Sequence, residues 1–339
     1  MGVQLKDIIE WHKINFDMLG GNRIAIDGFN TLYQFITIIR QRDGTPLMDS
    51  RGRITSHLSG IIYRTAKIAE NGVKPVFVFD GKAPDFKLVR KNREAVKNEA
   101  QKRLDDAKTR GDKENIRKYS ERTARLEPYM VEDAKKLLTL MGVPWVQAPS
   151  EGEAQAAYMA KIGDVWGAAS QDFDSLLFGA PKLIRNMTMS GRRKLPYKNV
   201  YIEVVPELIK LDELLGNLGL TQKQLICMSM LVGTDFNPGG IKGIGPKTAL
   251  DMVREKGCDA LKDVEWNIDW PDREKIIEFF EKPPVTDDYK LEWNNPDAEK
   301  VLDFMVGEHD FSEDRVLKAI NHFKQGLKKG RQTGLGEWF

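Results

Sequence analysis

The sequence predicts an α/β protein whose centre is a mainly parallel sheet flanked by helices. Short runs rich in Val, Ile and aromatic residues end at turn residues, as buried strands do. Stretches with apolar residues at helical spacing separate these runs, and such alternation is typical of a parallel sheet. Ligands bind beyond the carboxyl ends of the strands in sheets of this kind. With 339 residues, 41% of them hydrophobic, the chain is long enough for a large core.

Four strands and four helices are predicted in chain order. The apolar runs that end at turn residues predict strands over 23–26, 76–79, 145–148 and 165–169. Apolar residues at helical spacing predict helices over 31–40, 56–70, 131–141 and 222–232.

A strongly basic insert, residues 87–125, interrupts this alternation. It contains 14 Lys and Arg against 7 Asp and Glu, whereas the whole chain has a net charge of only +2. Its large apolar residues are too few for core helices, but its composition favours helix with a break at Gly111. We expect two exposed basic helical pieces. A solvated pair of helices without a functional role would explain these pieces. However, they leave the sheet directly after Asp80, at the edge where ligands are expected to bind.

Acidic residues follow each of the predicted strands. They are Asp27, Asp80, Glu151, Glu153, Asp172 and Asp174. Local alternatives exist, because Asp-Gly is a turn signal at the first two positions and Ser150-x-x-Glu153 fits a helix capping box. If the acids converge, like charges ~5 Å apart repel by roughly 3 kcal/mol per pair at an effective dielectric of ~20. Such a cluster requires cations, and its oxygen ligands favour Mg²⁺ and phosphoryl transfer.

A glycine-rich turn follows the helix predicted at 222–232. Gly243 and Gly245 allow a tight hairpin, and a proline then begins another helix. Backbone amides of the hairpin, together with Lys242 and Lys247, can hold a phosphate. We interpret this segment as a helix-hairpin-helix that grips duplex DNA by its backbone, with a plain turn as the alternative.

A Walker A loop is the other candidate for this turn. Gly240 and Gly245 have the required spacing. However, Pro246 separates Gly245 from Lys247, and a helix precedes the turn where a Walker A loop follows a strand. The sequence therefore does not favour a nucleotide-binding loop here.

Cysteine and histidine usage excludes several classes of site. Cys227 and Cys258 are far apart and form no Cys-x-x-Cys, so we expect neither a disulfide framework nor a cysteine-ligated zinc site. The four histidines lack the spacing of a zinc-binding helix. No apolar run approaches the ~18 residues of a membrane span, and the N-terminus has no signal-peptide pattern. We expect a protein of a reducing interior with no membrane segment.

The last residues of the chain predict a peptide that folds on a partner. Several glycines disfavour an isolated helix, but Leu335, Trp338 and Phe339 would share one apolar face in a single helical turn. Together with Gln332 they resemble the box by which proteins bind a sliding clamp. The alternative is a tail that docks on its own core.

Five sequence blocks together resemble the archaeal and eukaryotic flap endonucleases of the 5′-nuclease superfamily. The blocks follow the family's order, span essentially the whole chain, and are centred on Asp27, Asp80, Glu151 with Glu153, Asp172 with Asp174, and Asp235. The resemblance implies a PIN-like 5′-nuclease fold with a helical arch insertion and a helix-hairpin-helix element. It implies one nuclease domain, 1–325, and a flexible tail, 326–339. Within the domain the implied parts are an N-terminal region 1–86, an arch and cap 87–130, an internal region 131–220, the helix-hairpin-helix 221–262 and a C-terminal helical part 263–325.

The resemblance also implies the roles of individual residues. Two Mg²⁺ ions, replaceable by Mn²⁺, would be held by the six acids above and by Asp235. Lys87 and Arg93 would stabilise charge on the reacting phosphate, and Tyr33 would stack near the scissile nucleotide. The downstream duplex, and a monovalent cation beside it, would lie at Lys242, Gly243, Gly245 and Lys247. The sliding clamp would bind Gln332, Leu335, Trp338 and Phe339.

The implied function is cleavage of 5′ flaps at the junction of single strand and duplex, with an associated 5′-3′ exonuclease, in Okazaki fragment maturation and DNA repair. The implied partners are branched DNA and the sliding clamp. The protein would be a monomer of archaeal type, outside a nucleus, because eukaryotic members continue beyond the clamp box. One alternative is a Mg²⁺-dependent phosphohydrolase of small molecules, which gives the basic insert no role. Others are a non-catalytic DNA-junction scaffold, which the full set of acids disfavours, and a related nuclease with chiefly exonucleolytic or bubble-cutting activity.

Overall fold

The computed structural model describes residues 3–41, 43–85, 89–110, 112, 115, 119, 123–189, 191–194, 200–266 and 273–332. Its strands, in chain order, are β1 (His12–Lys13), β2 (Arg23–Asp27), β3 (Lys74–Phe79), β4 (Trp145–Gln147), β5 (Gly167–Ala169), β6 (Lys182–Arg185), β7 (Gly191–Lys194), β8 (Tyr201–Val204) and β9 (Glu207–Lys210).

Seven of these strands form a central sheet in the order β1-β9-β6-β5-β2-β3-β4. Neighbours from β6 to β4 are parallel, whereas β9 pairs antiparallel with both β6 and β1. The hairpin of β7 and β8 stands apart from this sheet. The predicted α/β class with a mainly parallel sheet is therefore confirmed.

Helices cover both faces of the sheet. They are α1 (Gly28–Ile38), α2 (Ser56–Glu70), α3 (Val89–Thr109), α4 (Pro128–Leu140), α5 (Gly152–Lys161), α6 (Asp174–Leu177), α7 (Leu211–Leu218), α8 (Gln222–Val232), α9 (Pro246–Lys256), α10 (Arg273–Glu281), α11 (Ala298–Leu302) and α12 (Glu313–Gln332). A π-helical segment, Asp303–Glu308, joins α11 to α12, and 3₁₀ turns lie at Phe16–Leu19 and Gly257–Lys262. No helix in the described part of the chain combines the length and apolarity that crossing a membrane requires.

The strands at the centre are buried on both faces, as parallel strands are. Ile24 and Ile26 of β2 pack into a core with α1, α2, α4 and α12. Ala25, between them, faces a second core that includes α5, α8 and α9.

All four predicted strands form, and the helices predicted at 56–70 and 222–232 have the predicted bounds. The other strands of the central sheet were not predicted, because β1 consists of two polar residues and the charged ends of β6 and β9 leave apolar runs of only two residues.

The basic insert contributes α3, which is less exposed than its composition predicts. Ala100, Leu104 and Ala107 lie four and three residues apart on one face of α3 and are buried. Arg125 also donates a hydrogen bond of 2.9 Å to the Asn98 side chain, so the end of the insert returns to α3. The expected break at Gly111, and most of the second piece, lie outside the described residues.

The predicted flexible tail begins too early in the chain. Residues 326–332 continue α12, which packs along α2. Gly326 allows this packing, because a Cβ atom there would collide with the backbone of Ala69 on α2. The glycine that suggested a helix end is instead a point of close approach between two helices.

A disulfide joins Cys227 of α8 to Cys258, contrary to the expectation of two unpaired cysteines. The two residues are 31 positions apart in sequence, but the chain turns back after α8 and brings their Cα atoms to 5.5 Å. Spacing along a sequence does not reveal such a return. Closing a loop of this length stabilises a fold by about 3 to 4 kcal/mol in the chain-entropy estimate. The bond ties the segment after α9 to the start of the predicted helix-hairpin-helix.

Candidate active site

Four neighbouring parallel strands, β5, β2, β3 and β4, end at the same edge of the sheet. Asp27 is the last residue of β2, and Asp80 directly follows β3. Glu151 and Glu153 lie at the start of the helix after β4. Asp172 and Asp174 follow β5. The topology therefore brings the strand-end acids of the sequence prediction to one edge.

Asp27 is both the end of a strand and the cap of a helix. Its Oδ1 accepts a hydrogen bond of 3.0 Å from the backbone N–H of Asn30, which caps α1. The Ser170 hydroxyl donates to its other oxygen over 3.3 Å. The Asp-Gly dipeptide here thus makes a strand-to-helix junction and fixes both oxygens of the carboxylate.

Asp80 is held by the first turn of α5. The backbone N–H of Gly152 donates to Asp80 Oδ1 over 2.7 Å. A Cβ atom on Gly152 would stand only 2.7 Å from that same oxygen, so a larger residue here would displace the Asp80 side chain. An N–H at a helix N-terminus favours negative charge, which suits an ionised Asp80.

The capping box that was the local alternative at Ser150 and Glu153 does not form. Helix α5 instead begins after Glu151, which is its N-cap residue and makes no side-chain capping bond. The Glu153 side chain accepts a hydrogen bond of 3.2 Å from the hydroxyl of Ser175 on α6. Glu153 is therefore directed towards the end of β5 and not to its own helix start.

Asp174 and Asp235 reach this edge from two different parts of the chain. Asp174 begins α6, and its Oδ1 accepts a hydrogen bond of 2.9 Å from the backbone N–H of Val3. Asp235 lies in the turn after α8, where the buried Asn237 side chain binds the Thr234 backbone and hydroxyl over 3.0 and 2.7 Å. This turn places Asp235 near enough to Asp174 to raise the pKa of Asp174.

The acids perturb one another strongly. Burial, together with the charges of Asp80 and Asp172, raises the pKa of Asp27 to about 8. Burial and the charges of Asp235 and Asp172 raise the pKa of Asp174 to about 7. Burial and the charges of Asp174, Asp27 and Asp172 raise the pKa of Glu153 well above its usual range. Six of the seven predicted acids therefore form one electrostatic cluster.

This cluster fits a divalent cation by its chemistry. Its donors are carboxylate oxygens, which Mg²⁺ and Mn²⁺ prefer, and a bound cation would compensate the repulsion that raises these pKa values. Among the residues that the structure describes, however, no three Asp, Glu, His or Cys side chains already stand close enough to hold an ion. The carboxylates lie within electrostatic range of one another without forming a closed ligand set.

The remaining predicted site residues lie on other elements. Tyr33 is on α1 and is 39% exposed. The turn between α8 and α9 exposes the predicted DNA-binding residues, and Gly243 has a φ of +85°, which glycine adopts without strain. The N-terminal end of α9 borders a cavity of about 440 Å³, lined by Asp7, Gly245, Pro246, Lys247 and Thr248.

Several predicted residues lie outside the described residues. Lys87, Leu335, Trp338 and Phe339 belong to this group. Arg93 lies within α3 and Gln332 ends α12, but the structure describes neither side chain.

Three polar residues at this edge were not predicted. Ser170 donates to Asp27, Asn30 donates to Asp172, and Gln34 donates to Asn30. The positions of Asn30 and Gln34, three and seven residues after Asp27, are a signal that the sequence contained. Residues at this spacing on a helix share one face, so both extend from the same side of α1 as its capping residue.

Comparison with known proteins places the chain in a family. Residues 1–103 match the family described as XPG N-terminal domain, and residues 142–235 match the XPG I-region. The sequence is 53% identical to flap endonuclease 1 of Staphylothermus marinus, over 100% of both chains. It is 55% identical to flap endonuclease 1 of Thermococcus onnurineus, over 100% of this chain and 99% of that protein.

Solved structures show the same fold. Flap endonuclease-1 from Methanococcus jannaschii has a TM-score of 0.77 and 43% identity, covering 96% of this chain and 99% of that one. The catalytic core of Rad2 in complex with a DNA substrate has a TM-score of 0.67 and 23% identity, over 94% of this chain and 100% of that one. The PIN-like 5′-nuclease fold is thereby confirmed, and the chain belongs to the flap endonuclease 1 family of XPG-type nucleases.

Proposed function

We propose that this protein is a metal-dependent structure-specific nuclease that cleaves DNA 5′ flaps at the junction of single strand and duplex. The observation that carries this proposal is the convergence of carboxylates from four parallel strand ends beside a basic insert. Full-length identity above 50% to proteins named flap endonuclease 1 supports the same conclusion. A small-molecule phosphohydrolase would use the acids but gives no role to the insert or to the helix-hairpin-helix.

We assign the metal site to the seven acids of the sequence prediction. Two Mg²⁺ ions, or Mn²⁺ in their place, would be held by Asp27, Asp80, Glu151, Glu153, Asp172, Asp174 and Asp235. When bound, such ions polarise the phosphodiester and make water a stronger nucleophile at neutral pH. The protein's own part is to orient the carboxylates, through the capping of Asp27, the Gly152 N–H on Asp80 and the Val3 N–H on Asp174.

DNA would approach this edge between two basic elements. Lys87 and Arg93 of the insert would lie over the reacting phosphate, and Tyr33 would stack against the scissile nucleotide. The exposed turn at Lys242 and Lys247, beside a cavity large enough for a phosphate group, would hold the downstream duplex by its backbone and a monovalent cation with it. Cleavage would leave a 5′-phosphate, and 5′-3′ exonuclease activity would accompany it.

We further propose that the last residues, Gln332 to Phe339, bind a sliding clamp, and that the enzyme acts as a monomer in replication and repair outside a nucleus. Truncation before Gln332 should abolish stimulation by the clamp and leave basal cleavage intact. Loss of basal cleavage would show that this segment serves the protein's own fold.

The central test is cleavage of an end-labelled double-flap DNA in Mg²⁺. Asp174→Asn keeps an acceptor for the Val3 N–H but removes a negative charge, and we expect it to lower cleavage by at least about 100-fold. Asp297→Asn, a change of the same kind at an exposed helix cap, should cut normally. A wild-type protein that does not cut the flap, or an Asp174 variant as active as wild type, would overturn the assignment.

A further inference from the structure

A chain of side-chain hydrogen bonds extends from the edge of the sheet along α1. The Thr188 hydroxyl donates to Gln34 Oε1 over 3.4 Å, and Gln34 Nε2 donates to Asn30 Oδ1 over 2.5 Å. Asn30 Nδ2 then donates to Asp172 Oδ2 over 2.9 Å. Each group donates towards the carboxylate, so both amides have only one orientation that satisfies the chain.

The surroundings restrict these side chains. Thr188 is buried, with 6% of its surface exposed, while Asn30 and Gln34 are half-buried. The adjoining cavity, lined by the same three residues and by Ser170, measures only about 10 Å³, which is about the room of one water molecule. The side chains therefore have little space for another rotamer.

We propose that Asn30 and Gln34 are positioning residues that orient the Asp172 carboxylate for a divalent cation. The inference rests on the proposed function, because Asp172 is a proposed ligand. The Asn30 amide donates to Asp172 Oδ2 and so fixes the direction in which this carboxylate faces a cation. As a neutral donor it orients the carboxylate without supplying the positive charge that would compete with the ion. Gln34 acts one step further away by fixing which end of the Asn30 amide faces Asp172.

The test uses isosteric variants that remove the amides. Asn30→Leu should weaken the affinity for Mn²⁺ alone, measured by calorimetry on DNA-free protein, by about 10- to 100-fold. Gln34→Met should weaken it less, because Asn30 keeps its donor. The matched control is Asn217→Leu, which removes a surface amide that donates to Glu10 over 3.2 Å and should bind Mn²⁺ as wild type does.

Flap cleavage at increasing metal concentration separates positioning from a purely structural role. We expect the half-saturating Mg²⁺ concentration to rise in step with the Mn²⁺ dissociation constant, with kcat at saturating metal within about threefold of wild type and an unchanged melting temperature. Unchanged Mn²⁺ affinity in both variants would overturn the proposal, and so would a lower kcat at saturating metal with normal affinity. Should Asn30→Leu fail to fold, Gln34→Met decides alone. A wild-type protein that neither binds Mn²⁺ nor cuts the flap would instead overturn the proposed function.

Discussion

Replacing Asp27 with asparagine should change how the stability of the metal-free protein depends on pH. The pKa of Asp27 is raised from 3.8 to about 8, chiefly by burial and then by the charge of Asp80. Between these values the folded protein binds a proton that the unfolded chain does not, so the free energy of unfolding falls as pH rises. The variant keeps an oxygen for the Asn30 N–H but has no proton to lose.

The magnitude follows from the size of the shift. Each pH unit well inside this window costs about 1.36 kcal/mol per proton, and the slope falls by half as the pH reaches 8, so raising the pH from 6 to 8 should destabilise the wild type by about 2.3 kcal/mol through Asp27. An unfolding entropy of about 2.1 cal/mol/K per residue gives about 0.7 kcal/mol/K for this chain length, and thus a fall of about 3 °C in melting temperature. A lower pKa of Glu153 in the variant would act in the same direction, because the charge of Asp27 contributes to raising it.

The assay is thermal unfolding in EDTA at pH 6, 7 and 8. The quantity to compare is the difference in melting temperature between wild type and Asp27→Asn at each pH, because contributions from histidines cancel in it. Asp297→Asn is the matched control, since Asp297 also caps a helix by accepting from the N–H three residues on, but is exposed. Saturating Mg²⁺ should raise the wild-type melting temperature more at pH 8 than at pH 6, because a bound cation favours the ionised carboxylates. Equal pH slopes in EDTA for wild type and Asp27→Asn would refute the reasoning.

Three further predictions concern other parts of the molecule. Gly326→Ala should lower stability by about 1 to 3 kcal/mol, because its Cβ would collide with α2, whereas Gly216→Ala, with open space around the new atom, should be neutral or slightly stabilising in chemical denaturation. His57 is buried and its pKa is lowered to about 3, so the free energy of unfolding of the wild type should fall by up to about 5 kcal/mol through His57 as the pH falls from 6.5 to 3. In His57→Phe the fall should be smaller by this amount. An equal fall in both proteins would contradict the lowered pKa. Replacing Cys227 and Cys258 with serine should lower stability by about 3 to 4 kcal/mol, and reductant should then have no further effect.

Local patterns in the sequence were sufficient to predict the acidic edge. A buried strand such as β2 has an apolar run that ends at a recognisable residue, and parallel order then places every such end on one side. Asp235 could be assigned only by resemblance, because its position depends on the turn that Asn237 holds together after α8. The disulfide and the extension of α12 were missed for the same reason, since both depend on segments that meet only in the folded chain.

The pKa of a solvent-shielded carboxylate in this protein depends on its depth and on the charge of its hydrogen-bond donors. Asp49 and Asp27 are both largely shielded from solvent, at 7% and 6% exposed, but Asp49 lies near the protein surface and Asp27 in the interior. Burial raises the pKa of Asp49, but hydrogen bonds and the charge of the Arg53 guanidinium outweigh it and bring that pKa below its usual value. Asp27 receives its hydrogen bonds from a backbone N–H and a hydroxyl, which orient a carboxylate without neutralising it. Its hydrogen-bond donors therefore supply no positive charge, and a carboxylate in this condition gains more from a divalent cation than one that already has an arginine partner.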